Sequence, residues 1–271
     1  MPTPFCPGYA AEPFATLVRD YPPGTPYKKS AFRIEWGPVF HRGRLDGSAR
    51  ILAIGQDPAQ HEVIARRILV GTAGKRVQGF MHKLGMNRSY VLINAFLYSV
   101  YGQEGGESNI NNAAITNYRN RWIEAILDTS PIEAVVAFGG LADKAWTKWL
   151  ASPAAQGRPS LPYQKVLHPT SPISAGGGKP AVIAALTKQM LAQWNTAIGA
   201  LQPSIQNRDM PFPALYGTGF KNADLPDVPM DDLPAGSPEW MATENQWADR
   251  VGTGIKKRRT IQVVVPSSVS L

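Results

Sequence analysis

The stretch Arg50-Ile51-Leu52-Ala53-Ile54-Gly55-Gln56-Asp57-Pro58-Ala59 constrains the fold of this chain more than any other. Four apolar residues with β-branched Ile at both ends read as a short buried strand. Gly55 ends the run, and Gln56 and Asp57 follow on a turn that Pro58 stiffens. In α/β sheets ligands bind outside the carboxyl ends of parallel strands. A polar pair in that place is either an ordinary turn or the beginning of a site.

Three further runs follow the same plan. Tyr90-Val91-Leu92-Ile93 leads into Asn94, Ile132–Phe138 into Gly139-Gly140, and Gln164–Leu167 into His168-Pro169. Helical patterns lie between and after them: Val77–Leu84 before Gly85, Asn117–Leu127, Leu141–Leu150, and a closing amphipathic stretch over Val182–Ile198. Residues 101–118, rich in Gly and Asn, read as a polar loop. With 271 residues, one α/β domain plus extensions is the natural organisation.

A net charge of +8 favours an anionic partner, the alternative being a basic but unspecialised surface. Cys6 is the only cysteine, which excludes an intramolecular disulfide and a four-cysteine iron–sulfur cluster. His41, His61, His82 and His168 lack metal-site spacing, so neither a metal nor a cofactor is expected. No apolar run reaches the ~20 residues that span a bilayer. Nothing in Met1–Cys6 resembles an export signal, and the expectation is a soluble, cytoplasmic monomer with no membrane partner. A phosphate-binding loop at Gly74-Lys75 fails, because the pattern needs glycine where Leu69 stands and Ser or Thr where Arg76 stands.

Gly55-Gln56-Asp57-Pro58 resembles the water-activating motif of the family-1 uracil-DNA glycosylases. His168-Pro169-Thr170-Ser171-Pro172-Ile173-Ser174 resembles that family's His-Pro-Ser-Pro-Leu-Ser motif with one residue added, and Leu69-Val70-Gly71-Thr72-Ala73-Gly74 resembles the Phe-Val-Gly-x-Ala-Gly segment of family 4. The resemblance covers roughly residues 50–195. It implies a three-layer α/β/α fold with a central four-stranded, mostly parallel twisted sheet, in a catalytic unit over residues 1–201. It also implies roles. Asp57 would position the attacking water and His168 would bind uracil O2. Asn94, otherwise a turn-forming amide, would read the Watson–Crick edge, donating to O4 and accepting from N3–H. Backbone around Gln56 would help hold the base. Ile173 would wedge into the DNA stack, with Ser171, Ser174 and Lys179 reaching phosphates.

Two positions depart from the pattern. Leu69 replaces the aromatic that stacks on the base, and Ala59 replaces the tyrosine that excludes the thymine methyl group. Uracil should therefore remain the best substrate, with looser rejection of 5-substituted uracils. Only one carboxylate is evident in the motifs, so the paired acid and base of ordinary glycosidases are not expected. Three rival readings stand beside this one: a glycosylase of the same fold for another deaminated or mismatched base, a non-catalytic uracil-DNA-binding protein, and a nucleotide-binding protein unrelated to DNA.

The flanks carry less information. Residues 1–49 mix aromatics with Lys28, Lys29, Arg33, Arg42 and Arg44, and read as a layer over the core with solvated charges, the alternative being a surface that touches a phosphate backbone. Residues 202–271 form a Pro-rich extension with the acidic group Asp224, Asp227, Asp231 and Asp232, then Lys256-Lys257-Arg258-Arg259 and an edge strand at Thr260–Val265. This extension reads as a wrapping or partly flexible tail.

Overall fold

A computed structural model describes residues 9–22, 26–252 and 259–267; Cys6 and Lys256-Lys257-Arg258 lie outside the described residues. The elements run in the order α1 (Phe14–Arg19), β1 (His41–Gly43), β2 (Ile51–Gly55), α2 (Gln60–Ala65), α3 (Gly71–Lys83), β3 (Tyr90–Asn94), α4 (Gly102–Asn109), α5 (Ala113–Thr129), β4 (Ala134–Phe138), α6 (Gly140–Leu150), β5 (Tyr163–Val166), α7 (Ser171–Ala175), α8 (Pro180–Leu201), α9 (Trp240–Thr243), β6 (Ala248–Val251) and β7 (Thr260–Val263), with short 3-10 turns between. None of the described helices is long and apolar enough to cross a membrane.

Strands are ordered β1-β3-β2-β4-β5. The pairs β3–β2, β2–β4 and β4–β5 are parallel, so the polar ends of all four predicted strands open on one edge of the sheet. Alternation along each strand sorts side chains into two layers. Leu52, Ile54, Val91, Ile93, Val135 and Ala137 face the layer that holds Trp122 and Ile126 of α5 and Trp146 of α6. Ile51, Ala53, Leu92, Val136 and Phe138 face Phe80 of α3 and Trp194 and Ile198 of α8. Burial on both faces is why these strands read as unbroken apolar runs.

The sheet has five strands where four were expected. The fifth, β1, pairs antiparallel with β3 and consists of His41, Arg42 and Gly43, which carry no apolar signal. Its charge is neutralised from the far end of the chain. Arg42 Nε and Arg44 Nη2 lie 3.7 and 3.6 Å from the two oxygens of Asp232, and Tyr90 Oη donates to the same carboxylate at 2.6 Å. Both Arg42 and Asp232 are fully buried. Removing one partner of such a pair typically costs about 3–5 kcal/mol, because the other charge stays buried. The other three members of that acidic group also form ion pairs: Asp224 with Lys83 at 2.7 Å, Asp227 with Lys75 at 2.9 Å and Asp231 with Arg88 at 2.8 Å.

Two more boundaries differ from the sequence reading. Residues 101–118 are not a loop: they hold α4 and the first turn of α5, whose start Asn112 caps by accepting from Ala114 N and Ile115 N. Helix α3 begins at Gly71, not Val77, and its first turn is held by Thr72 N and Oγ1 donating to the carbonyl of Asn245 at 2.9 and 3.0 Å. The expected edge strand near the C-terminus is β7, which pairs antiparallel with β6 as a hairpin. Trp247, fully buried, roots this hairpin in a small cluster with Ala65 and Val70.

Candidate active site

Asp57 lies two residues beyond β2, on the turn that Pro58 closes. The ladder between β2 and β3 continues past the strands, with Ala95 N donating to Gly55 O and Phe96 N to Gln56 O, so the turn is rigidly placed. The carboxylate accepts from Val100 N at 2.8 Å through Oδ2 and from Gln56 Nε2 at 3.0 Å through Oδ1. Val100 is itself held by the N-terminal segment, because Arg33 Nη1 donates to its carbonyl at 2.7 Å and Phe32 bridges it. Burial pushes the Asp57 carboxyl up to about 6, the two hydrogen bonds and the fields of Arg250 and Arg33 acting against that rise.

His168 stands at the end of β5, across the same cleft. Thr170 N donates to its Nδ1 at 3.3 Å and the Thr170 hydroxyl lies 3.0 Å from the same atom. Nδ1 is therefore the acceptor, and Nε2 carries the ring proton. Burial lowers the His168 pKa to about 4, so the ring is neutral at physiological pH.

These two residues line both of the cavities that meet here, of about 330 and 440 Å³. Gln56 and Ala59 line both as well; Leu69 and Ile173 belong to the first, Ser171 and Ser174 to the second. Ile173 is 45% exposed. Lys179 is exposed ahead of α8 and lies outside both linings.

Asn94 lines neither of these cavities; it borders a separate small one together with Tyr27, Phe40 and Trp122. It is 6% exposed, and its Oδ1 has no hydrogen-bond partner. A Cβ on Gly55 would stand 2.3 Å from that oxygen and 3.6 Å from Leu69 Cδ1, so glycine is what leaves room there for the Asn94 side chain. Leu69 adopts a left-handed backbone, φ 53°, which costs a non-glycine residue about 1–2 kcal/mol. Gly74 accommodates that kink, because a Cβ there would lie 2.1 Å from Leu69 O. Strain of this sort at a cleft is characteristic of functional positions.

Three contributors escaped the sequence reading. Glu62 is a second carboxylate: it is buried, lines the first cavity, and accepts from Ala59 N at 2.9 Å. Burial raises it to about 7, with a further push from Asp57. The sequence carries only half of a helix-start signature for it, because Ala59 has no side-chain acceptor to pair with a glutamate three residues on. Thr170, the residue added to the histidine motif, sets the tautomer of His168. Arg250, from β6, lines both cavities although nothing near it in sequence marks a site. Among the described residues no three His, Cys, Asp or Glu side chains are grouped so as to hold a metal ion.

No curated protein matches the chain. Residues 42–199 match a protein-family model, that of the uracil DNA glycosylase superfamily.

Proposed function

The chain belongs to the uracil DNA glycosylase superfamily, and on that premise we propose that it removes uracil from DNA by hydrolysing the N-glycosidic bond, leaving an abasic site. The observation that carries this reading is the convergence of Asp57 and His168 on one cleft from the ends of β2 and β5. Duplex DNA hides the bond, so the nucleotide must be flipped out at a cost of a few kcal/mol. Ile173, exposed at the mouth of the cleft, fills the vacated stack, and Ser171 and Ser174 meet the flanking backbone, with Lys179 further out.

As the C1′–N1 bond breaks, its electron pair goes to the base and the sugar becomes an oxocarbenium-like cation. A neutral His168 donating from Nε2 stabilises the charge gathering on O2, an interaction worth ~3 kcal/mol in comparable sites. Asp57, ionised above about 6, offsets the sugar cation and orients the water whose oxygen bonds to C1′. The proton lost by that water passes to Asp57 and then to solvent. Asn94, with a free buried Oδ1, accepts from N3–H, and Leu69 covers the ring face. A base of another kind on the same machinery is the second reading, and Ala59 in the cavity wall favours it, since a methyl side chain lacks the ring that would block a 5-substituent. The reading places the enzyme on chromosomal DNA in the cytoplasm, acting as a monomer.

The test is strand scission after alkali on uracil-containing oligonucleotides, single- and double-stranded, with wild type and Asp57→Asn. Abasic-site formation that falls by orders of magnitude in the variant is the expected result. Binding without any product, from every uracil substrate, would refute hydrolysis and leave a recognition protein.

A further inference from the structure

The cleft that is to receive a polyanion is floored by carboxylates. Asp57 and Glu62 both line it, and both its histidines, His61 and His168, have pKa values lowered to about 4 and are neutral. Among the described residues that line the two cavities, Arg250 alone is a lysine or arginine. It is exposed and forms no ion pair within 4 Å of a described carboxylate, yet its field reaches Asp57, Glu62 and His61. It shares the second lining with Ser171 and Ser174, so a guanidinium and two hydroxyls border one opening.

Arg250 comes from outside residues 42–199, and its strand is nevertheless fixed to the machinery inside them. His61, on the helix that follows Asp57, accepts from Trp247 N and Ala248 N, both at 3.2 Å, and packs edge-on against the Trp247 ring at 4.9 Å. The partner strand is tied at its base, where Trp36 Nε1 donates to Arg259 O at 2.6 Å and Val264 N donates to Trp247 O at 2.8 Å. A planar guanidinium with five donors, anchored at a cleft mouth and left without a carboxylate partner, is suited to a phosphate.

We propose that Arg250 binds the backbone phosphate of the extruded nucleotide, making the C-terminal hairpin a working part of the DNA site. This rests on the glycosylase reading given above. Ser171 and Ser174, which line the same cavity, would hold the same stretch of backbone.

The experiment measures Kd against salt concentration for wild type, Arg250→Gln and Arg250→Lys. One single-stranded oligonucleotide carries a non-hydrolysable 2′-fluoro-2′-deoxyuridine, and a second carries thymidine at that place. Loss of one phosphate contact should lower the slope of log Kd on log salt by about 0.7 and weaken binding about tenfold in Arg250→Gln. The loss should be confined to the uracil strand, and Arg250→Lys should keep the slope. Thermal unfolding of each variant checks that the hairpin is intact. An unchanged slope overturns the assignment, as does an equal loss on both strands. A role limited to offsetting the two carboxylates would instead shift the acid limb of the pH–rate profile and leave the slope alone. Wild-type excision is measured alongside: its absence would refute the glycosylase reading itself, whereas excision with an unaltered slope would refute the role of Arg250 only.

Discussion

Replacing Asp57 with asparagine should stabilise the protein at neutral pH while removing its chemistry. Burial holds the carboxyl at about 6, against 3.8 for the ordinary group. A carboxyl with a raised folded pKa binds its proton more tightly in the native state, so stability is greatest below the unfolded value and falls as pH rises through the window. Above both values the full penalty applies, about 3 kcal/mol at 1.36 kcal/mol per unit. It is an upper bound, since the cleft side of the carboxylate meets solvent. About 2.4 kcal/mol of it accrues between pH 4 and pH 7.5 by the same linkage.

Asparagine escapes that penalty. It has one acceptor oxygen where aspartate has two, however, so either Val100 N or Gln56 Nε2 loses its partner, at about 1–1.5 kcal/mol. The variant should then be about 1.5–2 kcal/mol more stable than wild type at pH 7.5 and about 0.4–0.9 kcal/mol less stable at pH 4. Urea unfolding followed by tryptophan fluorescence, at both pH values, gives the two differences directly. A difference that is the same at pH 4 and pH 7.5 would refute the reasoning, because it would mean that Asp57 is not held protonated by burial.

The same carboxyl sets the acid limb of activity: kcat/KM should fall tenfold per pH unit below about 6, and a profile flat down to pH 5 would exclude Asp57 as the group that must ionise. His168→Ala should lower kcat about 100-fold with a smaller change in KM, measured by single-turnover excision; a loss confined to KM would show ground-state binding instead. Gly55→Ala would drive a Cβ to 2.3 Å from Asn94 Oδ1, so excision should drop at least about tenfold while the fold persists with a lowered melting temperature. Full activity in that variant would place Asn94 outside base recognition. Ala59→Tyr should narrow the enzyme toward unsubstituted uracil, checked by competition between uracil and 5-fluorouracil oligonucleotides, and equal discrimination in both proteins would remove Ala59 from specificity.

Legibility in the sequence tracked the physical origin of each feature. Strands β2, β3, β4 and β5 were readable because burial on both faces demands apolar residues in unbroken runs. Strand β1 was not, because His41-Arg42-Gly43 is stabilised by a carboxylate that arrives some way along the tail. Helix α4 was hidden by its composition, Gly102–Asn109 having no apolar stripe, and the N-terminal turn of α3 by its dependence on Asn245. Asp57 and His168, singled out at the ends of their strands and given roles by the family resemblance, do line one cleft, whereas Asn94 lines neither of its cavities. Glu62 went unread because Ala59 lacks the side-chain acceptor that would mark the start of α2.

What the sequence by itself determined is therefore the set of strand ends and the identity of the polar residues placed on them, since local patterning and turn chemistry act over a few residues. Only the tertiary structure decided how those groups are charged and what surrounds them. Whether Asp57 titrates near 6 and His168 near 4 depends on solvent exclusion by distant segments, among them the Arg33–Val100 clasp and the β6–β7 hairpin. The approach of Arg250 to the cleft has the same character. Desolvation and through-space fields depend on distance in three dimensions, and a linear pattern carries no record of that distance.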